Sequence, residues 1–260
     1  MNWLKKKLKR KRERNTIAMQ LPTAWEQLSD KQLYDVYGLA NQPLSATQLK
    51  TICLFRWTNL KVNFELDNGL FECTINKQKV DLSATQIACA LNTINFITEV
   101  PESLVRLSQI KKFKARPANI EGTSFREYIF IDNLYQGFIH TQNTELLKQM
   151  TRILYDAPNL FPNQAEKINT FYWWTALKQT LAKRFPHFFA NADGTEDNSL
   201  GQPSLHQKLT EAMNAQVRAL TGGDITKEEK VLNTECWRAF AELDAIAKEQ
   251  QLMKQKYGNH

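Results

Sequence analysis

LSATQ, residues 44–48, recurs letter for letter at residues 82–86. In both copies a serine is followed three positions on by a glutamine, and then by an apolar, cysteine-containing run. That spacing is a helix-start box: the serine hydroxyl accepts from the amide at the third helical position, and the glutamine side chain reaches back to the serine's own N–H. The flanking residues do not continue the match, so the identity reads as shared capping chemistry rather than a duplicated unit. The same box occurs at Ser29 with Gln32, Ser124 with Glu127, Ser204 with Gln207 and Thr226 with Glu229. Apolar residues at helical spacing follow, as in Leu33, Val36, Tyr37 and Ala40. Six starts predict at least six helices.

Composition agrees with that count. The 260 residues include 9 glycines and 8 prolines, too few for a turn-rich sandwich, and 42% are hydrophobic, ample for a core. Between the two LSATQ helices, LKVNFEL, Asp67-Asn68-Gly69, LFECTI and KVDL read as short strands about a turn, because Asn-Gly favours the positive φ of a hairpin. Val62, Phe64 and Leu66 alternate with polar residues, which predicts one buried strand face. The expected fold is mainly α-helical (α+β): a multi-helix domain with a small antiparallel sheet near residues 60–82 and a long C-terminal helix.

After Pro101 an irregular stretch carries Lys111, Lys112, Lys114 and Arg116 around Phe113, and reads as a loop or edge strand. Helices are expected at about 125–141, 144–156 and 163–185, the last ended by Pro186. Residues 190–204 are rich in Gly, Asn, Asp and Ser and read as a linker. The expected organisation is a basic disordered arm at 1–18, a helical core at 19–189 with the hairpin inserted, the linker, and a C-terminal helical hairpin at 205–260. Its last helix, from Thr226 to about Tyr257, spaces Leu232, Cys236, Ala239, Leu243, Ile246, Gln250 and Met253 in alternating steps of four and three. Such a seam needs a partner. The preceding helix across Gly222-Gly223, or the chain's own core, is one; otherwise Leu232, Cys236, Leu243, Ile246 and Met253 bind another protein or a second copy.

The charge is concentrated at the start. MNWLKKKLKRKRER, residues 1–14, carries Lys5, Lys6, Lys7, Lys9, Arg10, Lys11, Arg12 and Arg14 against Glu13 alone. Taking those eight basic side chains and one acid from the chain's 34 and 27 leaves a body balanced at 26 of each. As a helix the arm has a contaminated apolar face and like charges four residues apart. It is expected to bind phosphates of nucleic acid or anionic membrane without sequence preference, or to serve only as a solvated end. Met19 is a plausible second start that would make it dispensable.

Catalytic patterns are missing. There is no HExxH, GxxxxGK[ST], GxGxxG or GxSxG. Cys53, Cys73, Cys89 and Cys236 have no ligand spacing and read as free buried thiols, so neither cofactor nor metal is implied. Phe171 to Trp174 are consecutive aromatics, as in a helix buried on all sides. Asp132, Gln136 and His140 make a polar stripe, read as a buried network or partner-binding stripe; Asp132 and His140, two turns apart, are too distant to bond. An unrecognised enzyme pairing Cys53 or Cys89 with His140 is left as the last alternative. No run of 18 apolar residues predicts a membrane span, and the residues after the arm are too polar for a secretory signal, so a cytoplasmic location is expected.

LPTAWEQLSDKQLYDVY, LKTICLFRW, IDNLYQGFIHTQ and ALTGGDITKEEKVL with CWRAFAELDA resemble uncharacterised proteins encoded in Bacteroidetes prophage or mobile-element regions, near tail and capsid genes. The likeness spans about residues 20–257. It implies a non-enzymatic role in phage-type assembly, of the tail-assembly-chaperone kind, and carries over no functional residues.

Overall fold

The computed structural model describes residues 19–190 and 205–257. The basic arm and the start box at Ser204 lie outside the described residues. The chain divides into two compact units, one ending at Glu99 and one beginning at Val100. The expected linker, apart from Ala190, lies outside the described residues. The fold is mainly α, with ten α-helices and two small antiparallel sheets among the described residues.

The first unit holds α1 (Asp30–Ala40), α2 (Ala46–Thr58), β1 (Lys61–Glu65), β2 (Leu70–Ile75), β3 (Gln78–Ser83) and α3 (Ala84–Thr93). Ser29, Ser45 and Ser83 cap the three helices with both halves of the box formed. Leu33, Val36, Tyr37, Cys53, Leu54 and Ile94 are buried, and Trp25 stacks on Tyr37 with centroids 6.1 Å apart. The strands run in the order β1-β2-β3. Gly69, at φ 73°, closes the first hairpin beside the Leu66 N–H to Leu70 carbonyl bond of 2.7 Å. The tighter turn joins β2 to β3, where Asn76 and Lys77 both take positive φ, the requirement of a two-residue hairpin whose twist matches its strands.

The buried face expected of β1 is absent. All five of its residues are exposed, with Val62 at 43% and Phe64 at 52%. The register against β2 slips between Val62, opposite Cys73, and Phe64, opposite Glu72. A bulge at Asn63 therefore breaks the period of two on which the expectation rested. The sheet instead buries Cys73, Ile75, Val80 and Leu82 of its other strands.

The second unit opens with the short pair β4 (Gln109–Ile110) and β5 (Phe113–Lys114), turned at Lys111. Seven helices follow: α4 (Phe125–Thr141), α5 (Thr144–Leu154), α6 (Gln164–Arg184), α7 (Pro186–Phe189), α8 (Leu205–Thr221), α9 (Glu228–Leu232) and α10 (Cys236–Tyr257). Pro186 does not only end α6; it occupies the first turn of α7, where its missing N–H costs nothing. Trp173 and Trp174 are fully buried on α6, and the Trp173 indole donates to the Ala118 carbonyl at 2.7 Å. A start box at Asn163 with Glu166, unread in the sequence, caps that helix.

The expected continuous helix from Thr226 to Tyr257 is broken. Thr226 is not its cap: Asp224 accepts from the Thr226 amide and hydroxyl, and a 3-10 turn follows. The Phe125 N–H then donates to the Thr234 carbonyl at 2.8 Å, and the Cys236 N–H to the Thr123 carbonyl at 2.9 Å. These bonds draw residues 234–236 alongside the start of α4, taking the backbone groups a continuous helix would use. Leu232 therefore lies on α9, apart from α10. Cys236, Ala239, Phe240, Leu243 and Ala247 turn into the core, where Phe240 meets Tyr128 edge-on at 4.8 Å and Phe125 at 5.8 Å.

Candidate functional site

Of the seam residues, Cys236 and Leu243 are buried in the second unit, Leu232 and Ile246 are half-buried, and Met253 is 61% exposed. Only the far end of α10 remains for an outside partner. The basic residues Lys5, Lys6, Lys7, Lys9, Arg10, Lys11, Arg12 and Arg14 lie outside the described residues. In the Lys111 to Arg116 stretch the three lysines are exposed, but Arg116 is held by Asp156 at 2.7 Å and Glu127 at 3.1 Å.

The thiols differ in burial, and His140 is engaged within its own helix. Cys53 and Cys236 are buried, and burial pushes both thiols up to about 12, against the thiolate that nucleophilic chemistry needs. Burial also raises Cys73, whereas Cys89 is exposed, contrary to the expectation of four buried thiols. The His140 ring meets the Gln136 carbonyl of its own helix at 3.0 Å. Among the described residues no group of three or more His, Cys, Asp or Glu side chains is placed to hold a metal, and no helix is long and apolar enough to cross a membrane.

Asp132 of the polar stripe is spent internally. Its carboxylate accepts from the Trp174 indole and from Lys178 at 2.8 Å, and Lys178 also lies 5.7 Å from the Tyr135 ring centroid. The pair lines a small cavity of about 170 Å³ with Tyr128, Phe188, Met213 and Phe240.

A different surface presents groups the fold does not use. α5 is strongly two-faced: Leu147, Met150, Thr151 and Leu154 are buried, leaving Lys148, Gln149, Arg152 and Ile153 on the other side. A groove of about 530 Å³ runs past Arg116, Phe130, Gln149, Arg152, Ile153 and Pro158. Phe130 is 53% exposed beside it, and Phe161, just past the turn after α5, is 71% exposed. Large rings left in water at this level are uncommon on a finished surface unless something covers them. The Phe161 ring lies against two cations, Lys148 at 5.4 Å and Arg152 at 5.3 Å from its centroid. Arg152 is fixed there by its Nε–H bond of 2.7 Å to the Leu160 carbonyl, and among the described residues no carboxylate lies within ion-pair distance of it, Glu145 feeling its charge from farther away.

The groove carries two cations, Arg116 and Arg152, and one carboxylate, Asp156, which is paired with Arg116, while around Glu145 the field is cationic. The Lys148 ammonium, 2.7 Å from Glu145, together with Lys167 and Arg152, outweighs the opposing effect of burial and holds the Glu145 carboxyl below the usual carboxylate range. Three cations thus act on Glu145, two of them beside the exposed Phe161 ring. The sequence shows the Lys148 and Arg152 spacing of four, but nothing in it brings Phe161 back over them, because residues 155–163 form an irregular turn. No protein-family model matches the chain, nor does any curated protein or solved structure.

Proposed function

We propose that the chain is a non-enzymatic binding protein whose α5 surface takes an acidic, apolar segment of a partner protein. One observation supports this above the rest: Phe161 and Phe130 stand in solvent beside a groove whose fixed arginine, Arg152, is in no ion pair among the described residues. Apolar rings favour an apolar side chain in the groove, and the cations favour carboxylates around it. The resemblance in the sequence supports placing that binding in phage-type or mobile-element assembly, in the cytoplasm. Fluorescence anisotropy with two labelled probe peptides tests it, one alternating Leu and Glu, the other alternating Leu and Lys. The acidic probe should bind, and Phe161→Ala and Arg152→Ala should each weaken it by roughly tenfold. Equal binding of the two probes, or no loss in either variant, would overturn the proposal.

A second reading is sequence-blind binding of nucleic acid or an anionic membrane through the basic arm. It is favoured by the arm's eight cations. Salt-dependent binding of a single-stranded oligonucleotide, measured on the full chain beside a chain beginning at Met19, separates the two. Loss of binding with the arm supports this reading. Full retention refutes a role for the arm.

A further inference from the structure

Tyr128 on α4 is only 4% exposed, yet its hydroxyl makes no hydrogen bond among the described residues. Its ring is held in place, stacked on Trp174 with centroids 5.4 Å apart and met edge-on by Phe240 at 4.8 Å. A buried hydroxyl without a partner is costly, so the group it faces is of interest. Tyr128 lines the cavity of about 170 Å³ that Asp132 and Lys178 also line. Asp132 follows one turn along the same helix, and side chains four residues apart share a helix face. Its two oxygens are unequally used: Oδ1 accepts from the Trp174 indole at 3.1 Å and from Lys178 at 2.8 Å, whereas Oδ2 accepts from Lys178 alone, at 3.0 Å. A carboxylate oxygen has room for two donors, so Oδ2 keeps one place. Tyr128 and Asp132 are not bonded to each other. One hydroxyl set between them would accept from the first and donate to the second.

From this we infer that the cavity binds a small phenol, a single aromatic ring whose hydroxyl accepts from Tyr128 Oη and donates to Asp132 Oδ2. The rest of the wall suits the ring, because Phe188, Met213 and Phe240 line it. The size suits it too: an apolar void of about 150 Å³ holds a benzene molecule. Water alone would satisfy the polar end but gain nothing from the apolar wall. A ligand anion would face Asp132 and a ligand cation would face Lys178, whereas a neutral hydroxyl sets like charge against neither. This inference is independent of the α5 surface.

Titration of the full chain with phenol, toluene and benzoate, followed through the indole N–H resonances, tests it. The chain has 6 tryptophans, and the resonance that is missing from Trp174→Phe and displaced in Asp132→Asn is the one beside the carboxylate. Phenol should shift that resonance and bind roughly tenfold more tightly than toluene or benzoate. Tyr128→Phe keeps the stacked ring and removes only the unpartnered hydroxyl. Its melting temperature should not fall, its affinity for phenol should drop by roughly tenfold, and its affinity for toluene should stay as in the parent. Phenol no tighter than toluene, benzoate as tight as phenol, an unchanged phenol affinity or a lower melting temperature in Tyr128→Phe, or a Trp174 resonance that phenol leaves in place would each overturn the inference. The last result would mean that the cavity holds water only.

Discussion

The indole N–H of Trp174 on α6 donates to the Asp132 carboxylate on α4 at 3.1 Å, and the same oxygen takes Lys178 at 2.8 Å. One carboxylate thus satisfies two donors a turn apart on a neighbouring helix. Asp132→Ala would leave the indole unpaired and the ammonium without its counter-charge. The pair is partly solvated, so the expected loss is about 2 kcal/mol, below that for a fully buried pair. Asp132→Asn, which keeps an acceptor for the indole, should lose about half as much. Urea denaturation checks both, and equal losses would show that charge alone matters at this position.

Acid should weaken the second unit through Glu127. Burial raises this carboxyl, but the Ser124 amide and the Arg116 guanidinium outweigh it and hold it below the usual carboxylate range. A folded-state value beneath the unfolded one contributes stability that is present above the unfolded value, about pH 4, and is lost as pH falls through the folded one. Stability should therefore fall on acidification below about pH 4, and Glu127→Gln should flatten that part of the profile. Melting temperatures of both proteins between pH 3 and 6 measure it; parallel profiles would reject the assignment.

The four thiols should divide three to one. Cys53, Cys73 and Cys236 are buried and Cys89 is exposed. A thiol reagent such as a disulfide dye should titrate a single group in the native protein and all four in denaturant. Cys89→Ser should abolish the native reaction, while rapid native reaction of more than one group would mean that the cores open readily.

What was legible in the sequence is what local chemistry decides. Ser29, Ser45, Ser83 and Ser124 announced their helices because both partners of each box lie within four residues. Asn68-Gly69 marked a hairpin for the same reason. The consecutive aromatics of α6 read as a helix buried on all sides, but only Trp173 and Trp174 are buried, while Phe171 and Tyr172 are half-buried and Gln179 is exposed. The errors are non-local. Residues 232–236 keep a helical apolar spacing, yet the Thr123 and Phe125 backbone groups, more than a hundred residues earlier, interrupt the helix. The alternation of Val62 and Phe64 was real, but a bulge and an edge position removed its meaning. Phe161 was invisible because an irregular turn brings it back over Lys148 and Arg152 of α5.

The inward turn of the seam has a direct consequence for α10. Leu243 is buried against the unit's own helices, so Leu243→Asp places an unpaired carboxylate in the core and should cost at least about 4 kcal/mol, enough to unfold the unit. Met253→Asp, on the exposed far turn, should change stability by no more than about 0.5 kcal/mol. Denaturant midpoints of the two variants decide the matter; comparable, small effects would mean that the seam faces outward after all.

Two tryptophans make opposite demands on their indole nitrogens. Trp173 Nε1 donates to the Ala118 carbonyl at 2.7 Å, whereas Trp57 Nε1 is buried with no hydrogen-bond partner. Replacing Trp173 by Phe removes a made bond, strands a carbonyl and opens space in a fully buried site, which together should cost about 2–4 kcal/mol. Trp57→Phe removes a donor that was already losing its desolvation energy, and this gain offsets the smaller apolar area, so the change should stay within about 1 kcal/mol. Chemical denaturation of the two variants beside the parent measures the gap. If Trp57→Phe proved as damaging as Trp173→Phe, the Trp57 N–H would have to be bonded in solution, for instance through an ordered water.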